Sequence, residues 1–137
     1  MTINSNTARA DIFKEFIKVL KDNLSTSGVQ ITDQFSDDPV NMPQIVVGTP
    51  LLPRIRHGFG TPSRSYIRDG SMAIEIYTTN TPDALKLADD VDNTLITHQG
   101  ELGVQNLALG DSDATPIELG ASQIVTMTIP ITFMFRR

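Results

Sequence analysis

From position 122 to 135 the chain keeps one alternation. Val125, Met127, Ile129, Ile131, Phe133 and Phe135 are odd-numbered and apolar, and Thr126, Thr128 and Thr132 stand between them. A period of two is the mark of a β-strand with one face buried and the other wet. A register slip of a single residue would turn all six apolar side chains to solvent, so this strand must sit over a core. Pro130 lies on its polar face. It has no N–H for a ladder bond, which predicts an edge position or a bulge.

Two segments carry the helical period that such a strand needs opposite it. In 8–24, Ile12, Phe16, Leu20 and Leu24 recur every four residues, with Phe13 and Ile17 beside them; Thr7 or Asn6 is placed to cap the start. In 81–96, Thr81, Pro82 and Asp83 read as a cap, a first helical residue and a first-turn acid. Ala84, Ala88, Val91 and Leu95 form the buried stripe of this second helix, and His98 and Gly100 mark its end. Shorter strands are predicted at 29–32 and 44–47. A strand at 71–79 has Met72, Ile74, Ile76 and Thr78 on one face and Ala73, Glu75 and Tyr77 on the other, and 104–109 is a further strand. Residues 36–39 and 111–116 read as loop and turn by composition.

The order α-β-β-insert-β-α-β-β predicts one α+β domain over 1–137: a mainly antiparallel sheet with two helices packed on one face. The odd face of the last strand should meet Ile12, Phe16 and Val91. At 137 residues the chain is long enough for a core without staples. It has no cysteine, so it holds neither a disulfide nor a cysteine-ligated zinc. No apolar run approaches the length of a membrane span, so no membrane partner is expected. The first residues lack a basic stretch followed by an apolar one, so no signal peptide is expected.

Segment 49–70 stands apart. It holds Pro50, Pro53 and Pro62, with Gly58, Gly60 and Gly70. Each proline removes a ladder donor and the glycines permit turns. The segment is either a long loop or a protruding hairpin, with 51–56 against 65–68 across a tip at 58–62. It also carries Arg54, Arg56, Arg64 and Arg68 against Asp69, a net charge of +3, while the rest of the chain carries −8. An acidic body of that size opposes general nucleic-acid binding but leaves room for a local basic contact. All four cations are arginines, whose planar fork suits carboxylate or phosphate.

Catalytic patterns are thin. His57 and His98 have no partner at metal-ligand spacing. Asp89, Asp90 and Asp92 form a carboxylate cluster; Asp89 and Asp92 share the outer helix face, which reads as a solvated surface. Asp111 and Asp113 begin like a calcium loop but lack its central glycine and its closing glutamate. The Gly58-Phe59-Gly60 run has no phosphate-loop lysine after it. No base, orienter and nucleophile come together, so the chain reads as a non-enzyme without a cofactor.

The succession of elements is familiar: a leading amphipathic helix, the strand Pro-Gln-Ile-Val-Val-Gly at 43–48, an extended loop or hairpin, the strand at 73–78, the helix beginning Pro82-Asp83-Ala84-Leu85, and two closing strands, the last long and threonine-rich. Over nearly the whole chain this resembles the tail terminator proteins (tail completion, or tail-to-head joining) of long-tailed phages and related viruses. The resemblance implies a structural virion protein of the tail and neck, assembled in the host cytoplasm. It implies a homo-hexameric ring that ends the tail tube, contacts the tube protein on one side and joins the head connector on the other, with DNA passing through its lumen. The insert would then make partner or lumen contacts through Arg54, Arg56, Arg64 and Arg68, to neighbouring subunits or non-specifically to DNA. Another neck protein, the connector stopper, is of similar size. A reading of a different class also fits the residues: a small ligand-binding or enzymatic α+β domain whose four arginines converge, as an anion-binding lid, on phosphate or carboxylate.

Overall fold

A computed structural model describes residues 7–36, 42–52, 67–119 and 122–136. Its elements are helix α1 (Ala8–Asn23), strands β1 (Gln30–Thr32), β2 (Gln44–Val47) and β3 (Ile67–Thr78), helix α2 (Thr81–Thr97), a 3-10 turn (Gln99–Leu102), and strands β4 (Gln105–Leu109), β5 (Thr115–Leu119) and β6 (Ser122–Arg136). The sheet runs β1-β2-β3-β6-β4, and β5 also pairs with β6. Only β1 and β2 are parallel; every other pairing is antiparallel. The protein is an α+β fold of two helices and a six-stranded, mostly antiparallel sheet.

The periodic C-terminal strand is the centre of this sheet. β6 pairs with β3 from Val125 opposite Thr78 to Arg136 opposite Ile67. Its other edge is shared, with β5 along 122–126 and β4 at 131–134. Pro130 therefore lies in an interior strand, where an edge or bulge was expected. The Gly110 N–H donates to the Pro130 carbonyl at 2.7 Å. A strand residue sends its N and its carbonyl to the same side, so the missing donor faces the gap between β5 and β4 and costs the β3 ladder nothing. Gly110 fits there because a Cβ would lie 2.6 Å from the proline ring.

The odd face of β6 is buried as the alternation requires. Its six apolar residues join Ile12, Phe16 and Val91 in one cluster, with Ile74 and Ile76 of β3. The Phe16 and Phe133 rings pack with centroids 6.1 Å apart, tilted by 42°.

Three local expectations are corrected. β3 begins at Ile67 rather than 71, so the last four residues of the supposed insert belong to the sheet and pair with 133–136. Gly70 is therefore no turn. It sits opposite Phe133, and a Cβ there would collide with the Phe133 ring and lie 2.7 Å from Leu52 Cδ2. The glycine is space into which an aromatic ring and a leucine close. Second, the α2 cap is Asn80, one residue before Thr81: its side chain accepts from the Asp83 N–H at 2.9 Å. Third, the turn expected at 111–116 stops at Ala114: Thr115 and Pro116 open strand β5, hairpinned onto β6. Its Thr-Pro opening masked a short strand. At α1, Thr7 occupies the cap position, but its hydroxyl donates to Asp11 Oδ2 at 2.8 Å rather than accepting from the helix.

The loop after α1 is tied to α2 by one carboxylate. Asp90 accepts from the Ser25 N–H at 3.2 Å, the Thr26 N–H at 2.8 Å and the Thr26 hydroxyl at 2.7 Å. Partial burial pushes the Asp90 carboxyl up, but these hydrogen bonds together outweigh it and hold the group below its ordinary value. Its contribution is thus present above the ordinary carboxylate range and is lost as pH falls through the lowered value. Asp90→Ala should cost about 1 kcal/mol in denaturant melts at neutral pH, and the difference from the parent should shrink in acid.

Gly70→Ala should cost about 1–3 kcal/mol by overpacking. Phe133→Leu alone should also destabilise, but the double variant should lose less than the sum, because the smaller side chain vacates the space the new methyl needs. Additive losses in urea melts would mean that the two residues do not share that space.

Candidate interaction surface

Both helices pack on the side of the sheet reached by the odd residues of β6. Among the described residues no helix packs on the opposite side. Across β3 and β6 it presents Ser71, Ala73, Glu75 and Tyr77 beside Thr132, Pro130, Thr128 and Thr126, in cross-strand pairs. Thr128, Pro130 and Thr132 are exposed. In β4, Ala108 extends the row from Thr132, after a bulge in which Asn106 takes a left-handed φ of 53°. The row holds small and hydroxyl-bearing residues around two carboxylates, Glu75 and, at its end, the exposed Asp69.

One end of this face is partly roofed by the loop after β1. Gln44, only 1% exposed, accepts from the Ser36 N–H at 3.2 Å and donates to the Ser36 carbonyl at 2.6 Å. That two-way amide pair holds the loop down and seats the Phe35 ring against Tyr77, centroids 4.4 Å apart. Phe35 remains 39% exposed. The Tyr77 hydroxyl donates to the Glu75 carboxylate, its neighbour on the same strand face. Burial first, then the hydrogen bond to Glu75 and the charge of Glu75, push the Tyr77 phenol up to about 12, against a smaller opposing pull from Thr126. Among the described residues no cation stands at ion-pair distance from Glu75.

At the other end the arginine-rich segment leaves and returns. Leu51 and Ser71 exchange both backbone hydrogen bonds, at 2.7 and 3.0 Å. Leu52 is buried against Gly70, and Arg9 of α1 donates to the Leu52 carbonyl at 3.5 Å. The two ends are therefore clamped side by side, as a continuation of the β2–β3 pairing. Arg54, Arg56 and Arg64 lie outside the described residues, as does the expected hairpin tip at 58–62. Arg68 occupies a strand position opposite Phe135. A hollow of about 450 Å³ at this end is lined by Asp69, Ser71, Asn106, Thr132, Phe133 and Met134 among others.

The remaining sequence candidates separate. Asp90 is the loop tie, and Asp89 is exposed. Asp92 is not on the outer face: it is half-buried, its Oδ1 accepts no hydrogen bond among the described residues, and burial, then the charge of Asp89, pushes its carboxyl up. His98 Nδ1 lies 3.2 Å from Glu101, an (i, i+3) contact at the end of α2. His57 lies outside the described residues. Among the described residues no three His, Asp or Glu side chains are grouped to hold a metal ion, and no helix is long and apolar enough to cross a membrane. The Phe35, Tyr77 and Glu75 cluster was not singled out from sequence. Its one legible sign is a Glu and a Tyr two residues apart on the polar parity of β3.

No protein-family model matches this chain, and no curated protein matches it.

Tyr77 should ionise well above the ordinary phenol value near 10, and the effect on stability has a definite sign. The folded state holds the proton more tightly, so the stabilisation is whole below pH 10 and is lost as pH rises towards 12. Phenolate absorbance should show a late-titrating tyrosine that Tyr77→Phe removes and Glu75→Gln moves to lower pH.

Proposed function

We propose that this chain is the subunit of a tail terminator ring in the neck of a long-tailed phage or related virus. The ring ends the tail tube and joins it to the head connector, and the chain acts through contact rather than catalysis. One observation carries the reading. Among the described residues the core is completed by helices on one sheet face, and the other is a threonine-lined face carrying Asp69 and Glu75, beside the paired residues Leu51, Leu52 and Ser71 from which the arginine-rich segment departs. A subunit with two such unlike surfaces can form one heterologous contact, repeated until it closes. The order of elements on which the resemblance rests is supported by α1, β2, α2 and β6 standing where the sequence puts them, though β3 begins four residues earlier and β5 adds a third closing strand.

Mass measurement of concentrated protein and of assembled necks should give a closed oligomer, six subunits by the resemblance. A strict monomer in both settings overturns the proposal. Arg54→Glu together with Arg56→Glu separates the two uses of the insert. Loss of ring assembly assigns those arginines to neighbouring subunits; intact rings that fail to retain DNA assign them to the lumen, where contact should weaken with salt.

A further inference from the structure

Glu75 is the carboxylate at the middle of the open face, and Asp69 stands at its end. It lies in the middle of β3, across from Thr128 on β6 and Val46 on β2. Its only hydrogen-bond donor among the described residues is the Tyr77 hydroxyl, and that phenol keeps its proton to about pH 12. Beside it stand the Tyr77 ring and the 39%-exposed ring of Phe35. A carboxylate with a free acceptor edge next to two aromatic faces is the chemistry that receives a guanidinium: a charge-assisted hydrogen bond on one side and ring stacking on the other.

The chain carries the matching group. All the cations of segment 53–66 are arginines, Arg54, Arg56 and Arg64, and the segment holds no acid. One of them cannot serve its own Glu75. Arg64 is three residues from Ile67, at most about 11 Å of chain, whereas Ile67 stands eight strand residues from Glu75, about 27 Å. Arg54 is two residues from Leu52, at most about 7 Å, and Leu52 packs against Gly70, about 17 Å of strand from Glu75. Arg54 would need both side chains fully extended, Arg56 comes closer, and each reaches only with the chain running straight back along its own sheet.

We infer that Glu75, with the Phe35 and Tyr77 rings, is the docking site for an arginine of segment 53–66 from a second copy of this chain. The inference rests on the self-assembling subunit proposed above and names the site through which one copy holds the next. It gives the mid-strand carboxylate of β3 a partner, whereas Asp69 lies six residues away at the end beside the clamped chain, and it fits a basic segment whose charges are arginines.

Two variants test it without touching the core. Glu75→Gln keeps an acceptor for Tyr77 but removes the charge. Thr128→Lys places a cation across the strand pair from Glu75, where it competes with the incoming arginine. Sedimentation of the full chain over a concentration series should show the parent assembling, and each variant assembling only at concentrations at least tenfold higher, while monomer melts stay close to the parent's. Thr128→Ser should assemble normally. Replacing Arg54, Arg56 and Arg64 by Gln should cause a comparable loss, and adding Glu75→Gln to that triple variant should cause no more. A parent that assembles with Glu75→Gln unaffected overturns this inference and leaves the ring standing. So do losses that multiply, or a lowered melt with unchanged assembly, the mark of an arginine from the same chain. A parent that stays monomeric at every concentration overturns both.

Discussion

The pairing of β3 with β6 is the interaction on which the other parts depend. It fixes, residue by residue, which side chains of two long strands look at the helices. Because side chains alternate, one register decision buries Ile74, Ile76, Ile129, Ile131, Phe133 and Phe135 together and turns Glu75, Tyr77 and Thr128 outward together. Both helices, the short parallel strand β1 and the hairpin of β5 are arranged around that choice. The close approach of Gly70 to Phe133 extends it to the far end of the ladder, beside the clamped ends of the arginine-rich segment.

The two sides of the sheet are held by different physics. The helix side is a packed apolar cluster in which Phe16 meets Phe133. The open side is held by a few directed polar contacts: the Gln44 amide with Ser36, and Tyr77 with Glu75. Directed contacts fix a loop and a ring without building a second apolar cluster among the described residues of that face. Asp90 does similar service between the helices, closing the loop after α1 with three hydrogen bonds to one carboxylate.

Most of the scaffold was legible because hydrophobic period reports burial directly. The β6 alternation, the α1 and α2 stripes and β2 all appear at their expected places. What sequence missed was set by neighbours rather than by local pattern. Gly70 looks like a turn until Phe133 stands opposite it, and Pro130 looks like an edge signal until β4 and β5 are seen to leave a gap there. Thr115 and Pro116 read as loop, yet they pair with β6. Asp90 and Asp92 are alike in type and lie in one turn of α2; one is claimed by a loop and the other is half-buried, with no donor to its Oδ1 among the described residues. Of the candidate site, the four arginines were legible as charge alone, and the Phe35, Tyr77 and Glu75 cluster depends on where a loop folds back.

The central strand of the sheet is also the last of these elements to leave the ribosome. Until β6 is made, β3 has β2 on one edge and nothing on the other, and β4 and β5 have no sheet to join. The nascent chain must therefore carry Ile74, Ile76 and the apolar stripes of two helices without the six apolar residues of β6 that complete their core, a state prone to wrong association. The open face acquires its cross-strand rows in the same moment that the core closes. A chain made only as far as β5 thus has neither a closed core nor the cross-strand rows of the opposite face, and both arrive with one strand.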